Sequence, residues 1–291
     1  MGGRARPPAG RRGLPAVSDA SGLPSLPSRR ARRHWAIEGA AIQWRVVSAL
    51  ILREMQTRFG RHNFGFLWLF LEPLVLGTVL GIIHASHGQS MPGGVDPFLF
   101  SIVGYVPFFM FRSVVNRAGT ALHSNLTLLF HRQVTPVDVL VSRNLLEAAA
   151  VFGVILLVLG VAAWWAGVWP ANISEIFFAM LLMFLLCHGV SMILAAGVAN
   201  WDGLERIIHP ATYLAMPLSG AFFALAWFPP EVRELLLWIP LVHLHEMIRE
   251  GMFGHAFRSY YDVGYVVRSI LIVNLLGLAY LRGARRKLEI F

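Results

Sequence analysis

From Ala41 to Gly60, apolar side chains return at steps of three and four: Trp44, Val47, Ile51, Met55 and Phe59. That period puts them on one stripe of a helix, with Gln43, Arg45, Arg53, Gln56 and Thr57 away from it. Arg58 interrupts the pattern, and Gly60 can end the helix because glycine accepts the left-handed conformation. The spacing predicts an amphipathic helix. It would lie in a membrane interface with its arginines among lipid phosphates, or pack on its own protein. Beyond it the periodicity gives way to nearly uninterrupted apolar runs at Phe66–Ile83, Phe98–Val115, Ala148–Trp169, Ile176–Ala199, Pro210–Phe228 and Val263–Leu281. Each run has about 18 residues or more, enough to cross a hydrocarbon core of about 30 Å, so six spanning helices are predicted. Leu235–Leu244 is also apolar but would reach only about 15 Å. Bounded by Pro229, Pro230 and Pro240, it predicts a re-entrant external hairpin between the fifth and sixth spans. Such a segment survives at membrane depth only inside protein or against a cavity.

Residues 1–40 are rich in Arg, Pro, Gly and Ala, show no apolar period and predict a disordered cytoplasmic tail. No apolar stretch follows the early arginines, which argues against a cleavable signal peptide. Residues 41–291 then form one all-α integral membrane domain. Composition agrees: 56% of residues are hydrophobic and 14% charged, against roughly a quarter charged in soluble domains. The short alternating strands of a membrane β-barrel are missing from the pattern. The net charge of +9 does not indicate nucleic acid, because the arginines gather in the N-terminal tail and short loops. That is the distribution of orientation signals. Of 25 basic residues, 21 fall in the tail and interface helix, the second and fourth loops, and the C-terminal segment. The first loop (His84–Pro97) and third loop (Pro170–Glu175) have none. Both termini are therefore expected in the cytoplasm of a multi-pass inner-membrane protein. Cys187 is the only cysteine and sits in an apolar run, so neither a disulfide framework nor a cysteine metal site is expected.

Motifs of covalent chemistry are absent from the pattern. A Walker A loop needs a lysine behind a glycine-rich cradle. The only lysine, Lys287, lies in Arg282-Gly-Ala-Arg-Arg-Lys287 with the wrong spacing. No Gly-x-Ser-x-Gly, His-Glu-x-x-His or dinucleotide fingerprint appears. His243-Leu-His245-Glu246 offers two imidazoles and a carboxylate, but no further ligand follows at helical spacing, so no metal site is expected. Polar groups inside spans are scattered at Glu72, His188 and Asn274. A lone ionised Glu72 facing lipid would cost about 3 kcal/mol. It is expected to face protein, water or headgroups, with an arginine of the interface helix as a candidate partner. The adjoining Pro73 should bend the span. In the second loop, Leu122, Leu126, Leu129 and Phe130, followed by His131 and Arg132, predict a short amphipathic helix that Pro136 would end. The tryptophans at span ends, Trp164, Trp165, Trp169, Trp201, Trp227 and Trp238, fit an interfacial belt. Trp68, Phe108 and Phe109 could instead line a path for sugar rings.

Four stretches together resemble the ABC-2-type permeases of polysaccharide export, especially capsule export. They are Arg53-Glu-Met-Gln-Thr-Arg-Phe-Gly60 running to Leu71-Glu-Pro73; Asn125-Leu-Thr-Leu-Leu129 running to Asp138, with Arg143 and Glu147; Ser219-Gly220-Ala-Phe-Phe223 running to Pro229; and Pro240-Leu-Val-His243 with Glu246, Arg249 and Gly251. The resemblance covers roughly residues 41–291, and the arginine-rich tail departs from it. It implies a transport subunit without catalytic residues, metal or cofactor of its own, ATP and Mg being held by a separate ATPase subunit in two copies. It also implies a homodimer moving lipid-linked polysaccharide outward to periplasmic and outer-membrane export proteins. On this basis Leu126, Leu129, Phe130, His131, Arg132 and Pro136 belong to the ATPase-coupling region, and Arg53, Arg58, Phe59 and Gly60 to the interface helix. Trp68, Glu72, Phe108 and Phe109 would lie on the substrate pathway. Pro229, Pro230, Pro240, His243, Glu246 and Arg249 would form an external gate. There the charged residues, with Arg233, Arg258, Glu231, Glu234 and Glu250, make either a mutually paired rim or, through Arg249 and Arg258, a surface that steers an anionic polymer. A permease for O-antigen, teichoic acid or a drug shares the architecture, and an ATPase-independent channel or membrane enzyme is the remote alternative.

Overall fold

The computed structural model of the chain describes Gly2 and residues 29–59, 64–86, 94–129, 133–256 and 258–288. Every regular element among them is helical. The chain divides into two compact units, Met1–Ile42 and Gln43–Phe291. Helix α1 (Arg29–Phe59) starts within the stretch expected to be disordered. It is followed by α2 (Phe64–Ser86), α3 (Pro97–Ala121), α4 (Leu126–Leu129), α5 (Pro136–Trp165), α6 (Ile173–Asn200), α7 (Gly203–Leu218), α8 (Pro230–Leu236), α9 (Pro240–Phe253) and α10 (Val263–Leu288). Among the described residues four helices are long and apolar enough to cross a membrane: Pro97–Ala121, Pro136–Trp165, Ile173–Asn200 and Val263–Ala284. Phe70–Ser86 of α2 forms a shorter apolar stretch.

The centre of the second unit is α3, which packs against α2, α5, α6, α7 and α9. Phe100, Tyr105, Phe108 and Met110 are fully buried along it. Asp96 caps its start by accepting from the Leu99 N–H at 2.7 Å, and Pro97 occupies the first turn, where no amide donor is needed. The helix runs to Ala121, so Arg112 and Arg117, counted with the basic residues of the second loop, are helical. Arg117 can stay there because its Nε lies 3.0 Å from the buried Glu147 of α5. Two other polar groups within apolar helices tie helices together. Asn144 of α5 reaches His188 Nδ1 of α6 at 2.9 Å, and Asn274 of α10 donates to the Leu185 carbonyl of α6 at 3.0 Å.

One predicted span is divided. The fifth apolar run, Pro210–Phe228, is not one helix: α7 begins earlier, at Gly203, and ends at Leu218. Pro217 sits in its last turn and Gly220 adopts φ +88, a left-handed conformation that glycine enters without strain. A Cβ on Gly104 of α3 would collide with the Ala221 carbonyl oxygen, so the turn is pressed directly onto the central helix. Leu235–Leu244 is likewise divided between α8 and α9, with the break at Leu237–Ile239 before Pro240. From Leu241 to Arg249 every residue of α9 is buried.

Candidate functional sites at the two ends of the bundle

At 1.5 Å per residue α3 is about 37 Å long, and a polar assembly sits at each of its ends. Beyond its C-terminal end, a single 3₁₀ turn, His123–Asn125, leads into the four residues of α4. Among the described residues, the helix expected here comprises Leu126–Leu129. Leu122 is buried against Leu140, Met192 and Leu281 as core, leaving Leu126 and Leu129 half-buried. Phe130, His131 and Arg132 lie outside the described residues. Pro136 does not end this segment. It opens α5 in its first turn, after a capping box in which Thr135 and Asp138 satisfy each other's amides.

Three side chains of α1 grip this turn. Arg53 Nη1 donates to Asn125 Oδ1 at 2.7 Å, Glu54 Oε1 accepts from Arg143 Nε at 3.1 Å, and Gln43 donates to Asp138. Arg143 also reaches Ser124 Oγ at 3.2 Å. The polar residues therefore dock onto protein, together with Val47 and Leu50, while Trp44 and Leu52 stand 65% and 61% exposed on α1. The expected apolar stripe is thereby split. Gly60 and the side chains of Arg58 and Phe59 lie outside the described residues. Gln43, Glu54, Asn125, Asp138 and Arg143 were not singled out as contacts by periodicity; only the Thr135–Asp138 cap had a readable signal.

The other assembly surrounds α9. Arg249 is 1% exposed. Its Nη1 lies 3.4 Å from Glu246 Oε1, and its Nη2 donates to the carbonyls of Gly220 and of Ala221, the latter at 2.8 Å. Its guanidinium stands 4.4 Å from the centre of the Phe100 ring. Glu246 accepts from the amides of Leu225 at 3.1 Å and Tyr260 at 3.2 Å. Burial pushes its carboxyl upward, with Arg249 and these amides acting the other way. One ion pair thus closes the turn after α7 and the strap before α10 onto α9. Arg249 cannot steer a passing polymer from this position, nor does it belong to an exposed rim. Arg233 and Arg258 instead lie over the Tyr260 ring, at 3.9 and 5.1 Å. Pro229 and Pro230 start α8, and Pro240 starts α9.

His243, His245 and Glu246 do not converge on a metal-sized point. His243 Nε2 faces the Leu237 carbonyl at 2.8 Å and its Nδ1 accepts from the Asp262 amide at 2.9 Å. His245 Nδ1 faces the Leu241 carbonyl, and Glu246 is held as above. Burial lowers the basicity of His243, which suits a ring nitrogen used as an acceptor. The Tyr265 amide donates to Asp262 and holds its carboxyl below the usual range.

Between the two ends, Trp68 is 59% exposed, but Phe108 and Phe109 are 0% and 4% exposed and belong to the core. They leave no ring face for sugar. Trp227 is partly buried and stacked on Phe100 at 5.1 Å, whereas Trp164, Trp165, Trp169, Trp201 and Trp238 are exposed. Glu72 is half-buried on α2, and no arginine of α1 pairs with it among the described residues. On the neighbouring helix Arg112 donates to the hydroxyls of Tyr105 at 3.3 Å and Tyr213 of α7 at 2.6 Å.

Residues 45–253 match the family model described as ABC-2 type transporter. The chain is 36% identical over 244 residues to the capsule polysaccharide export inner-membrane protein CtrC of Neisseria meningitidis serogroup B, covering 83% of this chain and 92% of that protein. It is 32% identical over 258 residues to the capsule polysaccharide export inner-membrane protein BexB of Haemophilus influenzae, covering 87% and 96%. It is 30% identical over 250 residues to the polysialic acid transport protein KpsM of Escherichia coli, covering 85% and 96%.

Proposed function

The chain belongs to the ABC-2 type transporter family, and from that premise we propose that it is the permease subunit of an ATP-driven exporter of polysaccharide. The observation that carries the reading is similarity along nearly the whole length of three inner-membrane or transport proteins whose names specify capsule polysaccharide export or polysialic acid transport. The cargo is lipid-linked capsular polysaccharide, crossing the inner membrane.

In this reading α2, α3, α5, α6, α7 and α10 are the six spans, with both termini cytoplasmic, and α8–α9 is the re-entrant external hairpin. The pairing of α1 with the turn before α5 supports a cytoplasmic coupling site. A pair of ATPase subunits, carrying ATP and Mg, pushes on α4 and α1 together. Trp44 and Leu52 on α1 meet membrane lipid. A homodimer completes the pathway, and periplasmic and outer-membrane proteins receive the polymer. Work enters as a shift between conformations, and this chain makes or breaks no covalent bond.

Deletion of the gene tests the reading. Surface polysaccharide should vanish and its lipid-linked form accumulate inside, identifiable by mass spectrometry. The chain should also copurify with an ATP-hydrolysing protein, and alone in liposomes it should move no polymer. Unchanged surface polysaccharide after deletion overturns the proposal.

A further inference from the structure

Resting on the export reading, we propose that Arg112, seated between Tyr105 and Tyr213, is a contact for the acidic groups of the polymer in transit, whether carboxylate or phosphodiester. Arg112 lies inside an apolar spanning helix, about 22 Å from its N-terminal end and about 13 Å from its C-terminal end. A cation at such depth is costly unless it is paired or faces a polar path. The other membrane-depth arginine of α3, Arg117, has a carboxylate at 3.0 Å, and Arg249 of α9 has one at 3.4 Å. Arg112 has no carboxylate within 4.0 Å among the described residues.

Its surroundings are built rather than incidental. The guanidinium is held by two phenol oxygens, at 2.6 and 3.3 Å, and its central carbon stands 4.5 Å from the Tyr213 ring centre. Phenols accept hydrogen bonds and orient the group without pairing its charge, and Glu72 of α2, within electrostatic reach of the same Tyr105 phenol, forms no ion pair with it among the described residues. A guanidinium has five N–H donors in a planar fork that matches two-oxygen anions, and two phenol contacts leave donors to spare. Tyr105 is buried whereas Tyr213 is 54% exposed, so the cation is anchored on one side and reachable on the other. Lipid phosphates lie at the bilayer surface, and α3 continues about 13 Å past Arg112. That depth suits an anion threading the membrane, and a headgroup reached by snorkelling is the competing occupant that the test separates.

The test uses the complete transporter with its ATPase subunit, in phosphatidylcholine nanodiscs. Binding of fluorescent tetragalacturonate is compared with that of uncharged maltotetraose. Wild type should favour the acidic oligomer by about tenfold, as a charge-assisted contact would give. Arg112→Gln should abolish the preference while leaving maltotetraose binding unchanged. Arg112→Lys should keep part of it, and Tyr213→Phe should weaken it severalfold even if the Gln variant does not fold. Equal binding of both oligomers by wild type, or a preference that survives in Arg112→Gln, overturns the proposal. So does loss of the wild-type preference when phosphatidylglycerol is added, since a headgroup is then the occupant. A deletion strain that keeps its surface polysaccharide removes the export reading itself. A deletion that abolishes export, beside Arg112→Gln cells exporting normally, removes only the role of Arg112.

Discussion

Arg249 and Glu246 carry charge into an interior where each ion costs several kcal/mol to desolvate. What offsets that cost is the number of backbone groups they satisfy: two carbonyls at the end of α7 and the amides of Leu225 and Tyr260. Arg249→Met should therefore remove far more than one ion pair, leaving a buried carboxylate and undonated carbonyls. The expected loss is about 3–5 kcal/mol, read as a large drop in the melting temperature of the purified protein. Adding Glu246→Gln should recover part of it, and a wild-type melt for the single variant would contradict the assigned role. His243 makes a pH prediction of defined sign. Its folded pKa is depressed, so its contribution is complete above the ordinary histidine value near 6.5. It is lost as pH falls through the lower folded value, when Nδ1 can no longer accept from the Asp262 amide. Hydrogen exchange at that amide, corrected for intrinsic rate, should quicken as pH falls below about 6.5, and His243→Gln should be insensitive to that fall.

Elements show where the sequence was legible. Long apolar runs placed α3, α5, α6 and α10 well, because a run without charge has few ways to be stable except as a buried or spanning helix. The division of the fifth run was not legible in hydropathy. Residues after Leu218 are as apolar as those before it, and the break depends on Arg249, 29 positions beyond Gly220, supplying donors to the freed carbonyls. Pro217 and Gly220 were the local signals available. Similarly, the α1 stripe had a readable period, but which face docks was decided by distant partners: Gln43 with Asp138, Arg53 with Asn125 and Glu54 with Arg143. Two predictions belong here. Leu129→Asp should abolish export while the protein still inserts and accumulates normally; wild-type surface polymer would remove α4 from the coupling region. Glu54→Arg or Arg143→Glu alone should reduce export several-fold, given that both side chains are only 14% exposed. The double reversal should restore much of it, whereas three equally impaired strains would show that the pair does not link α1 to the turn.

For the whole molecule, topology is the quantity to measure, and the chain provides a clean background for it. Cys187 is its only cysteine and is fully buried. A membrane-impermeant maleimide should therefore leave the wild type unmodified in intact spheroplasts. Glu231→Cys on exposed α8 should be labelled without permeabilisation, and Gln133→Cys beside the coupling turn only after it. The opposite pattern would invert the orientation drawn from the arginines.

The junction of α9 with the start of α6 limits how α9 can move. The amides of Ala171 and Asn172 donate to the carbonyls of Met252 and Gly251, at 3.2 and 2.8 Å. A Cβ on Gly251 would lie 2.7 Å from Ile176 Cγ1. With its tail keyed into a spanning helix, α9 cannot swing as an independent flap. Its displacement would drag α6 along, and α8 is held as well, because Arg233 donates to the carbonyls of Leu225 and Phe228 and lies over the Tyr260 ring.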